Sequence, residues 1–323
     1  MKKTFVTRWA LAGLLSALVL QAPDWAAAQT TFGRIVVFGD SLSDPGNAFA
    51  LGAGASTPPY DSLDPLLIPD KPYAKGGLHF SNGATWVEQF ARPLGLAANT
   101  KPAFLGSGVG ATNYAVGGAR AREDEVNVNL PFQVNTFLNV FGGTAPSDAL
   151  YVVEFGGNDI RDALVAFGGG ADGSAIISDA LTAIGTNIGI LYGAGARKFL
   201  VWNAPNLKLT PAILILDQST PGAGQLADQL TIAFNSGLDA LLVSLAGLPG
   251  IEIVRLDIYQ KLNDMVTTPA AFGLSVVNSA CVMPNIPPFD CQTPDAFLFW
   301  DGIHPTKTVH AIISQEAASV LAQ

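Results

Sequence analysis

Charged side chains are scarce in this sequence of 323 residues: they make up 13% of it, about half of the roughly 25% usual in globular proteins. The charges are also unbalanced, with 26 acidic against 17 basic residues and a formal net charge of −9. An acidic chain is not expected to bind nucleic acid or anionic lipid headgroups. Uncharged polar residues and glycine must therefore cover the surface, a composition that favours an exported protein over a cytosolic one.

Potential metal ligands are few as well. The chain has only two cysteines, Cys281 and Cys291, and three histidines, none of them near the cysteines in sequence. Two cysteines alone cannot complete a zinc shell, which argues against a zinc site. In an exported protein, cysteines this close predict a disulfide that pins one loop, and two free thiols are the alternative.

Beyond the N-terminus, no continuous apolar run approaches the about 18 residues that a membrane-spanning helix needs. The N-terminus has the pattern of a secretory signal peptide: three basic side chains within the first eight residues, an apolar stretch over residues 11–20, and an A-x-A cleavage site that ends at Ala28. We therefore expect residues 1–28 to be removed, leaving a soluble protein in the periplasm or outside the cell. An uncleaved N-terminal membrane anchor is the alternative.

Short apolar runs alternate with helical patterns along the rest of the chain. The runs that predict strands cover residues 35–38, 113–116, 150–155, 199–202 and 251–256. Between them, apolar residues recur every three or four positions over residues 177–191 and 226–245, the spacing of an amphipathic helix. This alternation predicts an α/β fold with a parallel sheet covered on both faces. No repeat or linker divides the chain, so residues 29–323 are expected to form a single domain.

The sequence lacks the Gly-x-Ser-x-Gly nucleophile elbow, so an α/β-hydrolase fold is disfavoured. A serine nevertheless stands just past the first predicted strand: Ser41, within residues 38–47. The carboxyl edge of an open α/β sheet is where ligands bind. Five prolines in residues 51–78 exclude a long helix after this serine, and the segment would form either one wall of a substrate cleft or a plain surface loop.

A serine hydroxyl needs a base to take its proton, and histidine is the usual one. Of the three histidines, only His304 has a carboxylate three residues before it, Asp301, which can fold back onto the ring within one loop. His79 lies in a loop without an evident partner. His310 lies in the helical pattern that follows, where a surface position is expected. The sequence thus offers Ser41, His304 and Asp301 as a candidate hydrolytic triad.

Acyl transfer also requires donors for the oxyanion that forms in the transition state. Two glycine-containing segments at the ends of predicted strands could supply them. Residues 113–119 include Gly117 and Gly118, whose bare backbone lets an N–H group approach a ligand. Residues 155–159 include Asn158, which offers a side-chain amide. Each segment alone is also typical of an ordinary glycine turn.

Taken in order, these four segments resemble the sequence blocks of the GDSL esterases and lipases, also called SGNH hydrolases. The first resembles the nucleophile block and implies Ser41 as the catalytic serine. The last implies Asp301 and His304 as its triad partners. The resemblance spans the mature chain, and residues 80–83 and 86–88 are similar to a stretch found in larger members of the family.

The two middle segments resemble the glycine and asparagine blocks of the same family. They imply an oxyanion hole formed by Ser41, Gly118 and Asn158, with the adjacent Gly117 as the alternative glycine. The resemblance also implies a flavodoxin-like, three-layer α/β/α sandwich, and ester hydrolysis that needs neither a metal nor a cofactor. Hydrogen bonds to the local backbone are expected from the other polar residues of the first block, Asp40, Ser43, Asp44 and Asn47.

Together these features predict a secreted carboxylic ester hydrolase that cleaves lipid, aryl or short-chain acyl esters. An O-deacetylase of acetylated glycans would share the chemistry and differ in substrate. A binding or passenger protein would keep the fold and lose turnover, since a fold does not fix a function. Apolar stretches at residues 137–141 and 211–216 favour lipid or aryl esters over sugars.

Overall fold

Strands and helices alternate along the residues that this computed structural model describes: 32–52, 63–64, 67–69, 71–106, 108–284 and 286–323. The strands are β1 (Arg34–Gly39), β2 (Leu63–Asp64), β3 (Ile68–Pro69), β4 (Ala149–Glu154), β5 (Lys198–Trp202), β6 (Glu252–Leu256), β7 (Val276–Ala280) and β8 (Phe297–Phe299). The α-helices are α1 (Asn47–Gly52), α2 (Trp86–Ala91), α3 (Leu130–Val140), α4 (Gly157–Gly168), α5 (Ser174–Ala194), α6 (Pro211–Ser219), α7 (Ala223–Leu245), α8 (Ile258–Thr267) and α9 (Lys307–Leu321). Short 3-10 helices lie at Ala103–Leu105, Leu207–Leu209, Pro269–Phe272 and Pro294–Ala296.

The central sheet contains four parallel strands in the order β1-β4-β5-β6. Residues 113–116, predicted as a strand, extend along the outer side of β1 without forming a regular strand. Tyr114 N–H donates to Val37 O at 2.8 Å, and Val116 N–H donates to Gly39 O at 3.1 Å. With this segment included, the order is the 2-1-3-4-5 of flavodoxin-like sheets, which reverses between β1 and β4. Ligands bind at such a reversal, outside the carboxyl ends of the two strands.

Side chains of the sheet alternate between two apolar cores, one on each face. On one face, Phe38 and Tyr151 pack with residues of α3, α4, α5 and α7. On the other face, Val37 and Val152 pack with residues of α2, α8 and α9. Because the inner strands are buried on both faces, they are continuous apolar runs in the sequence. The predicted three-layer α/β/α sandwich with a central parallel sheet is confirmed.

The two predicted amphipathic helices are present as α5 and α7. Helix α5 ends at Ala194 and is capped by Gly195, whose φ of +123° is a conformation that favours glycine. With 21 residues and a mean hydropathy of 1.4, α5 is also the one described helix long and apolar enough to cross a bilayer. In the sequence it is not a continuous apolar run, because Asp179, Thr182 and Asn187 interrupt it. Its buried side chains pack in the same core as those of α4 and α7.

Two regions discussed in the sequence analysis lie wholly or partly outside the described residues. The predicted signal peptide, residues 1–28, lies outside the described residues. Of residues 51–78, the described parts include β2 and β3, which pair as a short antiparallel ribbon. The described chain from Phe32 onward belongs to one compact unit.

The two cysteines lie beside a small parallel ribbon formed by β7 and β8. Cys281 and Cys291 are joined in a disulfide, with their Cα atoms 5.5 Å apart. Val282 N–H donates to Trp300 O at 2.8 Å, and the cysteines pack against a small apolar cluster of Tyr73, Val282 and Trp300. The disulfide loop is therefore attached to the chain directly before Asp301.

Candidate active site

The predicted nucleophile Ser41 lies on a tight turn at the carboxyl end of β1. Asp40 holds the turn by accepting a hydrogen bond from Leu42 N–H at 3.0 Å. Asp44 accepts hydrogen bonds from four backbone N–H groups, among them that of Gly117 at 2.8 Å. Burial raises the pKa of Asp44 to about 6 in spite of these donors. Both aspartates thus have the bracing contacts expected of them.

The loop between β8 and α9 brings His304 and Asp301 to this serine. His304 Nε2 lies 2.8 Å from Ser41 Oγ, and His304 Nδ1 lies 2.7 Å from Asp301 Oδ2. Asp301 Oδ1 accepts the backbone N–H groups of Ile303 and His304 at 2.9 and 2.8 Å, which fixes the carboxylate against the ring. Only 8% of Ser41, 2% of His304 and none of Asp301 is exposed to solvent. This arrangement lets the ring accept the serine proton while the carboxylate holds the other nitrogen.

A segment over residues 73–81 packs behind Asp301 and His304. Tyr73 OH donates to Asp301 Oδ2 at 3.1 Å, the same oxygen that faces the histidine. The ring of Phe80 lies 5.3 Å from that of His304, centroid to centroid. Ser81 Oγ donates to Pro305 O at 2.8 Å. Two sequence signals bear on these contacts: the resemblance of residues 80–83 to a family stretch, and the cleft wall that was one of two expectations for residues 51–78.

The two adjacent glycines differ in what their backbone N–H groups do. That of Gly117 is already bound to Asp44, and a Cβ at Gly117 would lie 2.2 Å from the ring of Phe80. Gly118 has a φ of +81°, and its N–H has no hydrogen-bond partner among the described residues. The geometry therefore favours Gly118 over Gly117 as a donor to an oxyanion.

Asn158 is the second residue of α4, directly after the strand that neighbours β1. Its Nδ2 donates to Asp40 Oδ2 at 3.2 Å and to Ala119 O at 2.9 Å. Asn158 and Ser41 line the same cavity. Because both amide hydrogens already have acceptors, donation to an oxyanion requires one of these bonds to open or to be shared.

A family model described as GDSL-like Lipase/Acylhydrolase matches residues 35–317. The chain belongs to this family. The resemblance noted in the four sequence segments is thereby confirmed. A GDSL esterase/lipase of Arabidopsis thaliana is 27% identical over 318 residues, which cover 87% of this chain and 89% of the relative. The phosphatidylcholine-sterol acyltransferase of Aeromonas hydrophila is 27% identical over 378 residues, covering 99% and 97% of the two chains.

Solved structures with a similar trace have low sequence identity. The extracellular lipase of Streptomyces rimosus is 15% identical, covers 90% of this chain and 99% of its own, and has a TM-score of 0.39. The acetylxylan esterase Axe2 of Geobacillus stearothermophilus is also 15% identical with a TM-score of 0.39, covering 90% and 94% of the two chains.

Beneath the nucleophile turn of this GDSL-family chain lies a buried pair of carboxyl groups, Asp40 and Glu154. Glu154 is the last residue of β4, and its Oε2 accepts Asp40 N–H at 3.2 Å. Burial, and then the charge of Asp40, hold the pKa of Glu154 well above its usual value. Burial also raises the pKa of Asp40 to about 6, although the hydrogen bond from Leu42 and the charge of His304 oppose this. An acidic residue inside an apolar strand pattern was the sequence signal for this pair.

The other two histidines do not hydrogen-bond to the triad. The expectation of a surface position for His310 was wrong: it is 1% exposed, and its Nδ1 accepts Trp86 N–H at 3.2 Å. Burial lowers the pKa of His310 to about 3. His79 does have a partner, since its Nε2 lies 2.8 Å from Glu88 Oε2. Burial lowers the pKa of His79, but the hydrogen bond and charge of Glu88 outweigh burial and raise it.

Two concave regions meet at Arg161. A narrow cavity of about 80 Å³, walled mostly by apolar side chains, includes Ser41, Asn158 and His304 in its lining. A more open groove of about 750 Å³ runs between α4 and the α6–α7 region. Among the described residues, no group of three or more histidine, cysteine, aspartate and glutamate side chains is placed to hold a metal ion.

Proposed function

We propose that this protein is a secreted carboxylic ester hydrolase that works through an acyl-enzyme on Ser41. The observation that carries the proposal is the hydrogen-bonded series from Ser41 Oγ through the ring of His304 to Asp301, at 2.8 and 2.7 Å. Membership in the GDSL-like lipase/acylhydrolase family supports it. Secretion rests on the signal-peptide pattern, and N-terminal sequencing of exported protein is expected to begin at Gln29.

In the proposed reaction, Ser41 Oγ attacks the carbonyl carbon of the ester while His304 Nε2 takes the hydroxyl proton. The carbonyl oxygen becomes an oxyanion, bound by the backbone N–H groups of Ser41 and Gly118 and by Asn158 Nδ2. The ester bond then breaks, and His304 gives its proton to the leaving alcohol. Water attacks the acyl group on Ser41 with His304 again as base, releasing the carboxylic acid and restoring the serine.

Active-site labelling tests the proposal directly. A fluorophosphonate should label Ser41, and Ser41→Ala should lose both labelling and hydrolysis of p-nitrophenyl esters while keeping its circular dichroism and melting temperature. Ser219→Ala, at an exposed helix end, is the control and should behave as the unsubstituted protein. Full activity in Ser41→Ala, or labelling of another serine, contradicts the assignment. Exported chains that bind esters without labelling or turnover would indicate a passenger protein of the same fold.

An O-deacetylase of acetylated glycans would use the same triad. The apolar lining of the cavity beside Ser41 favours an acyl chain over a sugar there. Faster hydrolysis of acetylated xylan than of any p-nitrophenyl ester, compared as kcat/KM, would reverse this choice of substrate and leave the mechanism unchanged.

A further inference from the structure

We infer that the narrow cavity beside Ser41 holds the acyl chain of the substrate and admits only a short one, which makes the protein selective for short-chain acyl esters. This inference rests on the proposed function and names its substrate class. The cavity lies between the sheet and helices α8 and α9, where Ser41 borders the apolar core.

The cavity is continuous from the reacting groups into that core. Ser41 and His304 form part of its lining, and the rest of the wall is mainly apolar. Eight of the wall residues are almost fully buried and belong to the core on the α2–α8–α9 face of the sheet, among them Trp202, Leu262, Met265, Leu298, Val309 and Ile313. A linear apolar chain attached to Ser41 is the kind of group that such a wall accommodates.

The volume limits the length of the chain. The cavity measures about 80 Å³, against about 750 Å³ for the open groove. Longer chains must displace side chains that are packed at interior density, so we expect short acyl chains to be favoured.

The open groove is the competing location for the acyl chain. It is apolar too, with Leu164, Leu216 and Leu226 in its lining, and its about 750 Å³ would set no such limit. However, the groove shares only Arg161 with the cavity and includes neither Ser41 nor His304. The geometry therefore assigns the acyl chain to the cavity and leaves the groove for the alcohol part of the ester.

The test is kcat/KM for p-nitrophenyl esters with acyl chains of two, four, six, eight and twelve carbons. The butanoate should exceed the acetate by about tenfold or more, as expected for added methylenes in an apolar pocket, and the octanoate should fall below the butanoate by at least as much. Met265→Ala and Ile313→Ala enlarge the cavity and should move the optimum to six or eight carbons. Val309→Phe fills it and should move the optimum to the acetate.

Controls separate cavity size from loss of stability. Ile188→Ala removes an equally buried side chain on the opposite face of the sheet and should lower the melting temperature without moving the optimum. If Ile313→Ala does not fold, Ile313→Val should still raise the ratio of hexanoate to butanoate kcat/KM severalfold. The inference is overturned if the optimum lies at eight carbons or more and responds to Leu216→Ala but not to Met265→Ala. In that result Ser41 still reacts, whereas failure of the proposed function would appear as no labelling of Ser41 and no hydrolysis at any chain length.

Discussion

At the residue scale, Asp301 Oδ2 receives two donors, His304 Nδ1 at 2.7 Å and the hydroxyl of Tyr73 at 3.1 Å. The tyrosine does not touch the serine and acts through the carboxylate. It shares the negative charge that would otherwise be directed only at the ring. We therefore predict that Tyr73 is a positioning residue, whose loss affects kcat more than KM.

We expect Tyr73→Phe to lower kcat by about tenfold and to leave KM unchanged, because Asp301 loses one of the hydrogen bonds that hold it, and with it the ring of His304, in position for the reaction. Tyr192→Phe removes a hydroxyl that bonds to Pro249 O on an exposed surface and should change neither quantity. A lower melting temperature with an unchanged kcat would indicate a structural role only.

Asn158→Ala should reduce kcat by about 10²–10³-fold with little change in KM, since an oxyanion donor contributes mostly in the transition state. Asn187→Ala is the matched control, because it removes another buried asparagine, in α5, that hydrogen-bonds within its own helix. It should lower stability and leave kcat alone. An Asn158 variant that changed KM alone would rule out the oxyanion role.

At the element scale, the ribbon of β7 and β8 and the disulfide loop support the loop that carries His304. We expect Cys281→Ser/Cys291→Ser to lower the free energy of unfolding by about 2–3 kcal/mol, from the loop entropy of a 10-residue separation. Because the cysteines pack against the cluster that contains Trp300, the neighbour of Asp301, kcat should fall too. Urea unfolding and ester hydrolysis measure the two effects. Two reactive thiols per chain in denatured, unreduced exported protein would contradict the disulfide.

The strands and helices that could be predicted from the sequence are those with a hydrophobic pattern within their own residues. The buried strands β1, β4 and β5 are continuous apolar runs, and α5 and α7 have regular apolar stripes. The strands β7 and β8 went unpredicted because they are only five and three residues long and partly exposed. The position of His310 was misjudged because helix α9 packs on α2, so its buried face is wider than its apolar stripe.

The site was predictable where motifs are ordered along the chain, as at Ser41, Asp301 and His304. The contacts of Tyr73 and Glu154 depend on residues 228 and 114 positions away in sequence, and no spacing rule reveals such contacts. The catalytic roles of Ser41, Asp301 and His304 and the positioning role of Tyr73 remain predictions for the experiments above.

At the scale of the whole molecule, the buried carboxyl groups couple stability to pH. The pKa of Glu154 in the folded protein is raised above its usual 4.5. Between the two values the native state holds a proton that the unfolded chain has released. Its contribution to stability is therefore fully present below about pH 4.5 and is lost as pH rises through the folded pKa.

Glu154→Gln gives a side chain of the same shape that is neutral at every pH. The variant should therefore not lose stability as the pH rises. We expect the variant to match the unsubstituted protein near pH 4.5 and to be more stable at pH 8, as measured by urea unfolding at both values. Glu252→Gln, on the exposed side of β6, should show no such pH-dependent difference. A destabilised Glu154→Gln at pH 8 would mean that the carboxyl is ionised in the native state.

The distance along the chain between the reacting groups has a consequence for the timing of activity during biosynthesis. Ser41 and His304 are 263 residues apart, and the loop that brings them together lies between β8 and α9, which packs against α2. A ribosome makes Ser41 early and His304 late. A chain still being synthesised therefore contains the serine without its base, and such a serine is a poor nucleophile. Under the proposed function, the esters of the producing cell are exposed to the enzyme only after the chain has folded at its destination.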